Sequence, residues 1–168
     1  MANRLKKFFK EAAVLLLLVV VTSVAVNLYK TRNTATGPAP ALSTVSIYGE
    51  PLSLANQQQP VLVHFWATWC PVCSLEHDSI DSIAKDYPII TIAMQSGNAE
   101  ELIQFMRQEQ LSFPVVEDDD GLIARHWQVS GVPASFIMSP SGEIKFVEVG
   151  YTSELGLRLR LWWAGRSG

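Results

Sequence analysis

The junction at residues 61–73, VLVHFWATWCPVC, restricts this chain more than any other stretch, because a β-rich, mostly apolar run ends there on two cysteines three positions apart. Residues 61–67 read as a buried strand that feeds a helix. Counting on from Cys73, Glu76, Ile80, Ile83, Ala84 and Tyr87 recur at three- and four-residue steps and share one helical face, which Pro88 closes. Residues 89–93 predict a second buried strand, and residues 98–110 a helix capped by Asn98 with Leu102, Ile103, Phe105 and Met106 inward. Residues 134–138 and 144–149 flank Ser139-Pro140-Ser141-Gly142, a turn signal, and predict a hairpin. A β-α-β-α series closed by a hairpin is an α/β domain with mixed parallel and antiparallel pairing. In the tail, Ser153 and Glu154 cap an expected helix that buries Leu155, Leu159 and Trp162, although Leu155, Leu157, Leu159 and Leu161 also alternate as a strand would. Trp162, Trp163, Arg158, Arg160 and Arg166 would also suit a membrane interface.

Charge is divided unevenly along the 168 residues. Residues 1–32 hold six Lys or Arg against one acid, and the remainder holds seven against fifteen. An acidic body argues against nucleic acid as a partner. Arg4, Lys6, Lys7 and Lys10 precede the uncharged, mostly apolar run 12–28, and Lys30 and Arg32 follow it. A helix of that length spans about 25 Å, close to the minimum for crossing a bilayer, so residues 1–32 read as a basic cytoplasmic stub and a transmembrane signal anchor. Ser23 and Ala25 also fit the small-residue positions of a cleaved signal peptide. Either reading exports the body, and the positive-inside bias leaves the N-terminus in the cytoplasm. The expected localisation is a bacterial inner membrane, single pass, with the catalytic domain in the periplasm. Residues 33–46, NTATGPAPALSTVS, carry no charge and no period and are expected to form a flexible linker, which leaves residues 47–168 as one domain.

Two cysteines neither build a multi-bridge scaffold nor complete a four-ligand zinc site. At a helix entry, unpaired N–H groups and the helix dipole favour the Cys70 thiolate, the attacking species. Cys73, one turn on and along the apolar stripe, is placed to resolve the mixed disulfide. Pro71 suits the first helical turn, where its missing N–H would lack an intrahelical acceptor. Glu76 lies on the same inward stripe, so its carboxyl should have a raised pKa and could exchange protons with Cys73.

WATWCPVC, followed by Gly131-Val132-Pro133-Ala134-Ser135-Phe136 and the Ser139–Gly142 turn, resembles the thioredoxin superfamily across roughly residues 42–163. The anchor, the WATWC form and Glu76 resemble its membrane-tethered TlpA/ResA/CcmG group, and within that the suppressor-of-copper-sensitivity protein D type. The resemblance implies a thioredoxin-like fold, a central mixed β-sheet flanked by helices. It implies Cys70 and Cys73 as a redox disulfide, with Trp69, Pro71 and Val72 as supporting residues. It also implies a cis Pro133 facing the cysteines, with Val132 offering its backbone to a substrate strand. The expected partners are protein disulfide substrates, a membrane electron donor of the thiol-reductase type, and the inner membrane through residues 12–28; no cofactor is expected. His64 departs from the thioredoxin pattern, which carries a buried aspartate there, and is expected to be a hydrogen-bonded core histidine.

An alternative reading joins Cys70, Cys73 and His77 into a copper-binding envelope module, since soft thiolates select copper(I) or zinc. Otherwise His77 and Asp78 form a solvated helix flank. Glu117-Asp118-Asp119-Asp120-Gly121 lacks the ligand order of a calcium loop and reads as a turn and helix start. No phosphate-cradling glycine motif or serine-nucleophile elbow is present.

Overall fold

The computed structural model describes residues 10, 11, 13–15, 17, 18, 21, 22 and 37–166. It comprises two compact units, Met1–Arg32 and Asn33–Gly168. In the first, the described residues are helical and exposed. Among the described residues no helix is long and apolar enough to cross a membrane. Most of the anchor expected over 12–28 lies outside the described residues.

The second unit contains β1 (Gly37–Pro38), β2 (Ser43–Val45), β3 (Pro51–Ser53), β4 (Val61–Trp66), α1 (Pro71–Ser74), α2 (His77–Ala84) and β5 (Ile89–Met94). It continues through α3 (Ala99–Gln108), β6 (Val115–Asp118), α4 (Leu122–His126), β7 (Ala134–Met138), β8 (Glu143–Val149) and α5 (Glu154–Ala164). Six strands form a mixed sheet in the order β1-β8-β7-β4-β5-β6. β4 runs parallel to β5 and antiparallel to β7, and every residue of β4 is buried. Its side chains alternate between two cores, as a strand covered on both faces must. Leu62 and Trp66 pack with Cys73, Ile80, Ile83, Leu102, Leu157 and Leu161 of the helices on one face. Val61, Val63 and Phe65 pack on the other with Ile92, Trp127 and Phe136. His64 therefore points to the face that carries α1, α2 and α5.

Four expectations change. The linker ends earlier than residue 46: β1 pairs with β8, β2 pairs with β3, and Leu42 is buried. Strands of two and three residues are too short to show a period, and Pro38 is tolerated because β1 is an edge. The single helix expected from Cys73 is two, because the chain turns at Leu75 and restarts at Glu76, whose side chain does not cap α2. The tail is helical and capped by Ser153, but it buries Leu157, Leu161 and Ala164 and leaves Leu155, Leu159 and Trp162 exposed. Arg158 selects that face: its guanidinium binds Asp86 and Glu154, each at 2.7 Å, and Ser82 of α2 donates to the same Glu154 oxygen at 2.8 Å. Finally, β6 has no clear sequence signal, because Val115 and Val116 are its only apolar positions before the acidic run. The expected turn and helix start is confined to residues 119–121, since Glu117 and Asp118 end β6, and the Asp118 carboxylate accepts the N–H groups of Ile123 and Ala124.

Candidate active site

β4 delivers the cysteines to its C-terminal end, and side-chain bonds fix the turn that follows. Trp66 is anchored by its Nε1–H to Thr91 Oγ1 at 3.1 Å, the Thr68 N–H donates to Ser96 Oγ at 3.0 Å, and Trp69 Nε1–H donates to the Gln95 carbonyl at 2.9 Å. Cys70 is the N-cap of α1 and Pro71 its first residue. The Cys73 N–H donates to Cys70 Sγ at 3.2 Å, which is how a helix N-terminus satisfies an otherwise orphaned donor. Cys70 and Cys73 are joined in a disulfide with Cα atoms 5.3 Å apart. Cys70 retains 6% of its surface and Cys73 none, so of the two residues only Cys70 reaches solvent. Exposed Trp69, Val72 and Leu75 form an apolar collar along the same segment.

The loop before β7 faces this pair. The Val132–Pro133 peptide bond is cis, and the Val132 carbonyl oxygen lies 3.8 Å from Cys70 Sγ. Val132 is only partly buried, while the Pro133 carbonyl is already occupied by the Gly150 N–H at 2.8 Å. Cys70, Cys73, Val132 and Pro133 therefore meet at one end of the sheet, with Trp69, Pro71 and Val72 flanking them along the chain.

Glu76 sits behind Cys73, its N–H bonded to the Cys73 carbonyl at 2.9 Å. Its side chain is 1% exposed, and Oε1 accepts the Thr152 N–H from the segment leading into α5. Burial pushes its pKa up to about 7, against the opposing pull of that N–H. His64 approaches from β4: its Nε2 is 3.9 Å from Glu76 Oε2, and its Nδ1 is 2.9 Å from Ser135 Oγ on β7. Burial, and secondarily His77, push the His64 pKa down to about 3, so the ring is neutral.

His77 is not a solvated flank. It is 5% exposed, with the rings of Trp66, Phe105 and Phe113 around it, and burial lowers its pKa against the pull of Glu109 and Asp78. Among the described residues no three His, Cys, Asp or Glu side chains are grouped to hold a metal ion. The copper site built from Cys70, Cys73 and His77 is thereby corrected: the second turn of the motif rotates His77 into an aromatic cage. Sequence reasoning found Glu76 and remarked on His64 separately, but it missed Ser135 and Thr152. His64 in an apolar strand was the available signal, since a buried polar side chain requires partners.

The AhpC/TSA family model matches residues 35–147. A thioredoxin-like protein of Haemophilus influenzae is 33% identical over 114 residues, covering 67% of this chain and 68% of its own. The thiol:disulfide interchange protein DsbE of Pseudomonas fluorescens biotype C is 32% identical over 124 residues, covering 70% and 68%. Among solved structures, a thioredoxin-family thiol:disulfide interchange protein from Chlorobium tepidum superposes with a TM-score of 0.67 at 27% identity, covering 77% of this chain and 97% of its own.

Proposed function

Because the chain belongs to the AhpC/TSA family and is a thioredoxin-like thiol-disulfide oxidoreductase with a Cys-x-x-Cys pair, we propose that it is a membrane-tethered reductase of protein disulfides. The observation that carries this reading is the asymmetry of the two cysteines, one reaching solvent with its sulfur beside the Val132 carbonyl and one fully enclosed. The Cys70 thiolate attacks a substrate disulfide, forming a Cys70–substrate bond while the other substrate sulfur leaves as a thiolate and takes a proton. Cys73 then loses its proton and attacks Cys70 Sγ. The second substrate sulfur departs, the substrate is a dithiol, and the protein holds the Cys70–Cys73 disulfide. Glu76, buried next in line, is the group we assign to accept and return the Cys73 proton. The partly buried Val132 backbone is the edge we assign to the substrate chain.

Residues 12–28 hold the chain in the inner membrane of a bacterium with the domain in the periplasm, and a membrane thiol reductase returns two electrons to the pair. Tethering confines that encounter to a plane, which raises effective concentration. Copper and redox stress tolerance, or cytochrome c maturation, are the settings that the motif resemblance implies. Val72 supplies neither charge nor hydrogen bond to Cys70, which favours a reductant over an oxidant.

The reduction potential of the full chain in glutathione buffers, followed by the fluorescence of Trp66 and Trp69, tests the direction. A value near about −270 mV is expected, and one near about −120 mV would overturn the assignment in favour of an oxidant.

A further inference from the structure

Exchange through Cys70 and Cys73, with Glu76 as proton carrier, leaves His64 without a role. Its Nε2 faces Glu76 Oε2 across 3.9 Å with both side chains 1% exposed. Among the described residues neither atom has a hydrogen-bond partner. The remaining polar atoms of the two groups are fixed, His64 Nδ1 against Ser135 Oγ and Glu76 Oε1 under the Thr152 N–H.

Buried polar atoms are rarely left unsatisfied, and two that face each other are satisfied together only as donor and acceptor. Oε1 already accepts an N–H, which places the carboxyl proton on Oε2. An Oε2–H needs a lone pair on Nε2, so the ring proton must sit on Nδ1 and be donated to Ser135. In the other tautomer Nε2–H could donate only to the Oε2 lone pair, which would leave the buried carboxyl proton with no acceptor among the described residues. An approach of about 1 Å, by ring or carboxyl rotation, brings the pair to hydrogen-bond distance.

We propose that His64 is the positioning residue for the Glu76 proton: its Nε2 lone pair accepts Oε2–H, and Ser135, by taking Nδ1–H, fixes the tautomer that does so. The inference rests on the disulfide-exchange reading for its purpose, since the proton so held is the one that the Cys73 sulfur takes on leaving and gives up on attacking. Among the described residues around the pair, His77 is the group whose charge acts on the His64 ring, and it too disfavours the protonated imidazole. Cys73 lies beside it on α1, His77, whose pKa burial lowers, on α2, and uncharged Thr91 on β5. Glu148, opposite Ser135 on β8, is paired with Arg160 of α5 at 2.7 Å. Both members of the pair are accordingly held neutral, the carboxyl up to about pH 7 and the ring down to about pH 3.

The test is nitrogen NMR of the full chain labelled at histidine, with the Glu76 carboxyl titrated by carbon NMR in the natural chain and in Ser135→Ala. His64 is expected to show Nδ1 protonated and Nε2 bare. In Ser135→Ala the ring proton is released to move to Nε2, where it donates to the carboxylate and stabilises the ionised acid. The Glu76 midpoint then falls by about one pH unit, and the pH profile of disulfide exchange moves with it. A protonated Nε2 in the natural chain, or an unmoved midpoint in a folded Ser135→Ala, overturns the proposal. If Ser135→Ala does not fold, the tautomer of the natural chain decides by itself. Absence of exchange at every pH in the natural chain would instead overturn the reductase reading, and the tautomer result would stand apart from it.

Discussion

Glu76→Gln isolates what it takes to keep a carboxyl in this position. Glutamine is uncharged at every pH, keeps an oxygen for the Thr152 N–H, and presents an NH2 where Oε2 stands, so it imitates the protonated acid. Below pH 4.5, the ordinary value for Glu, the carboxyl is protonated in the folded and the unfolded chain alike and contributes no pH dependence. From pH 4.5 to about 7 the unfolded chain has released the proton while the folded chain keeps it. Stability is therefore lost as pH rises, at about 1.4 kcal/mol per pH unit, and reaches a deficit of about 3 kcal/mol once both states are ionised. The glutamine variant has no such loss. Urea unfolding of the oxidised full chain and of the variant, followed by tryptophan fluorescence from about pH 4 to about pH 8, gives both free energies. Their difference, natural chain minus variant, should fall by about 3 kcal/mol across the window, with other titrating groups cancelling. Parallel curves, or a difference that grows with pH, would refute the claim that burial governs this carboxyl.

Two further outcomes test the division of labour and the packing. Cys73→Ser should accumulate a mixed disulfide through Cys70 when offered a disulfide substrate, whereas Cys70→Ser should form none, because Cys73 is fully enclosed; mass spectrometry after alkylation distinguishes them. In α5, Leu161→Ala should lower stability by about 2–4 kcal/mol and Leu159→Ala by less than about 1 kcal/mol, as read from urea midpoints; a larger loss at Leu159 would mean that the helix packs by the other face.

What the sequence disclosed follows from how locally each feature is encoded. The β4 strand, the cysteine pair at a helix start and the Asn98 cap depend on residues within a few positions of one another, so pattern and capping chemistry reveal them. The face of α5 does not, because Leu155, Leu159 and Trp162 compete with Leu157, Leu161 and Ala164 at equal spacing, and the choice is made by Arg158 reaching Asp86, 72 residues away. The burial of His77 likewise depends on Phe105 and Phe113 arriving from α3 and the approach to β6. The pairing of His64 with Ser135 and of Glu76 with Thr152 spans 71 and 76 positions, and a single sequence holds no record of such distances.

The same two buried groups give the site a property that neither has alone. Burying His64 neutral contributes stability that is present above its ordinary pKa of 6.5 and is lost as pH falls toward about 3. Burying Glu76 neutral acts in the opposite sense between 4.5 and about 7. Over the range where the windows overlap, pH 4.5 to 6.5, the two slopes are each about 1.4 kcal/mol per pH unit with contrary signs and cancel. Counting protons gives the reason. In the unfolded chain at such a pH the carboxyl is ionised and the imidazole charged, so the pair binds one proton, on the histidine. In the folded chain the pair also binds one proton, but it sits on the glutamate. Folding transfers a proton from imidazole to carboxyl without changing the total, so this pair adds no net pH dependence to stability in mildly acidic surroundings while an acid stays loaded behind Cys73. Glu76→Gln leaves the histidine slope uncompensated, so the variant should gain stability on going from pH 4.5 to 6.5 while the pair's contribution in the natural chain stays level.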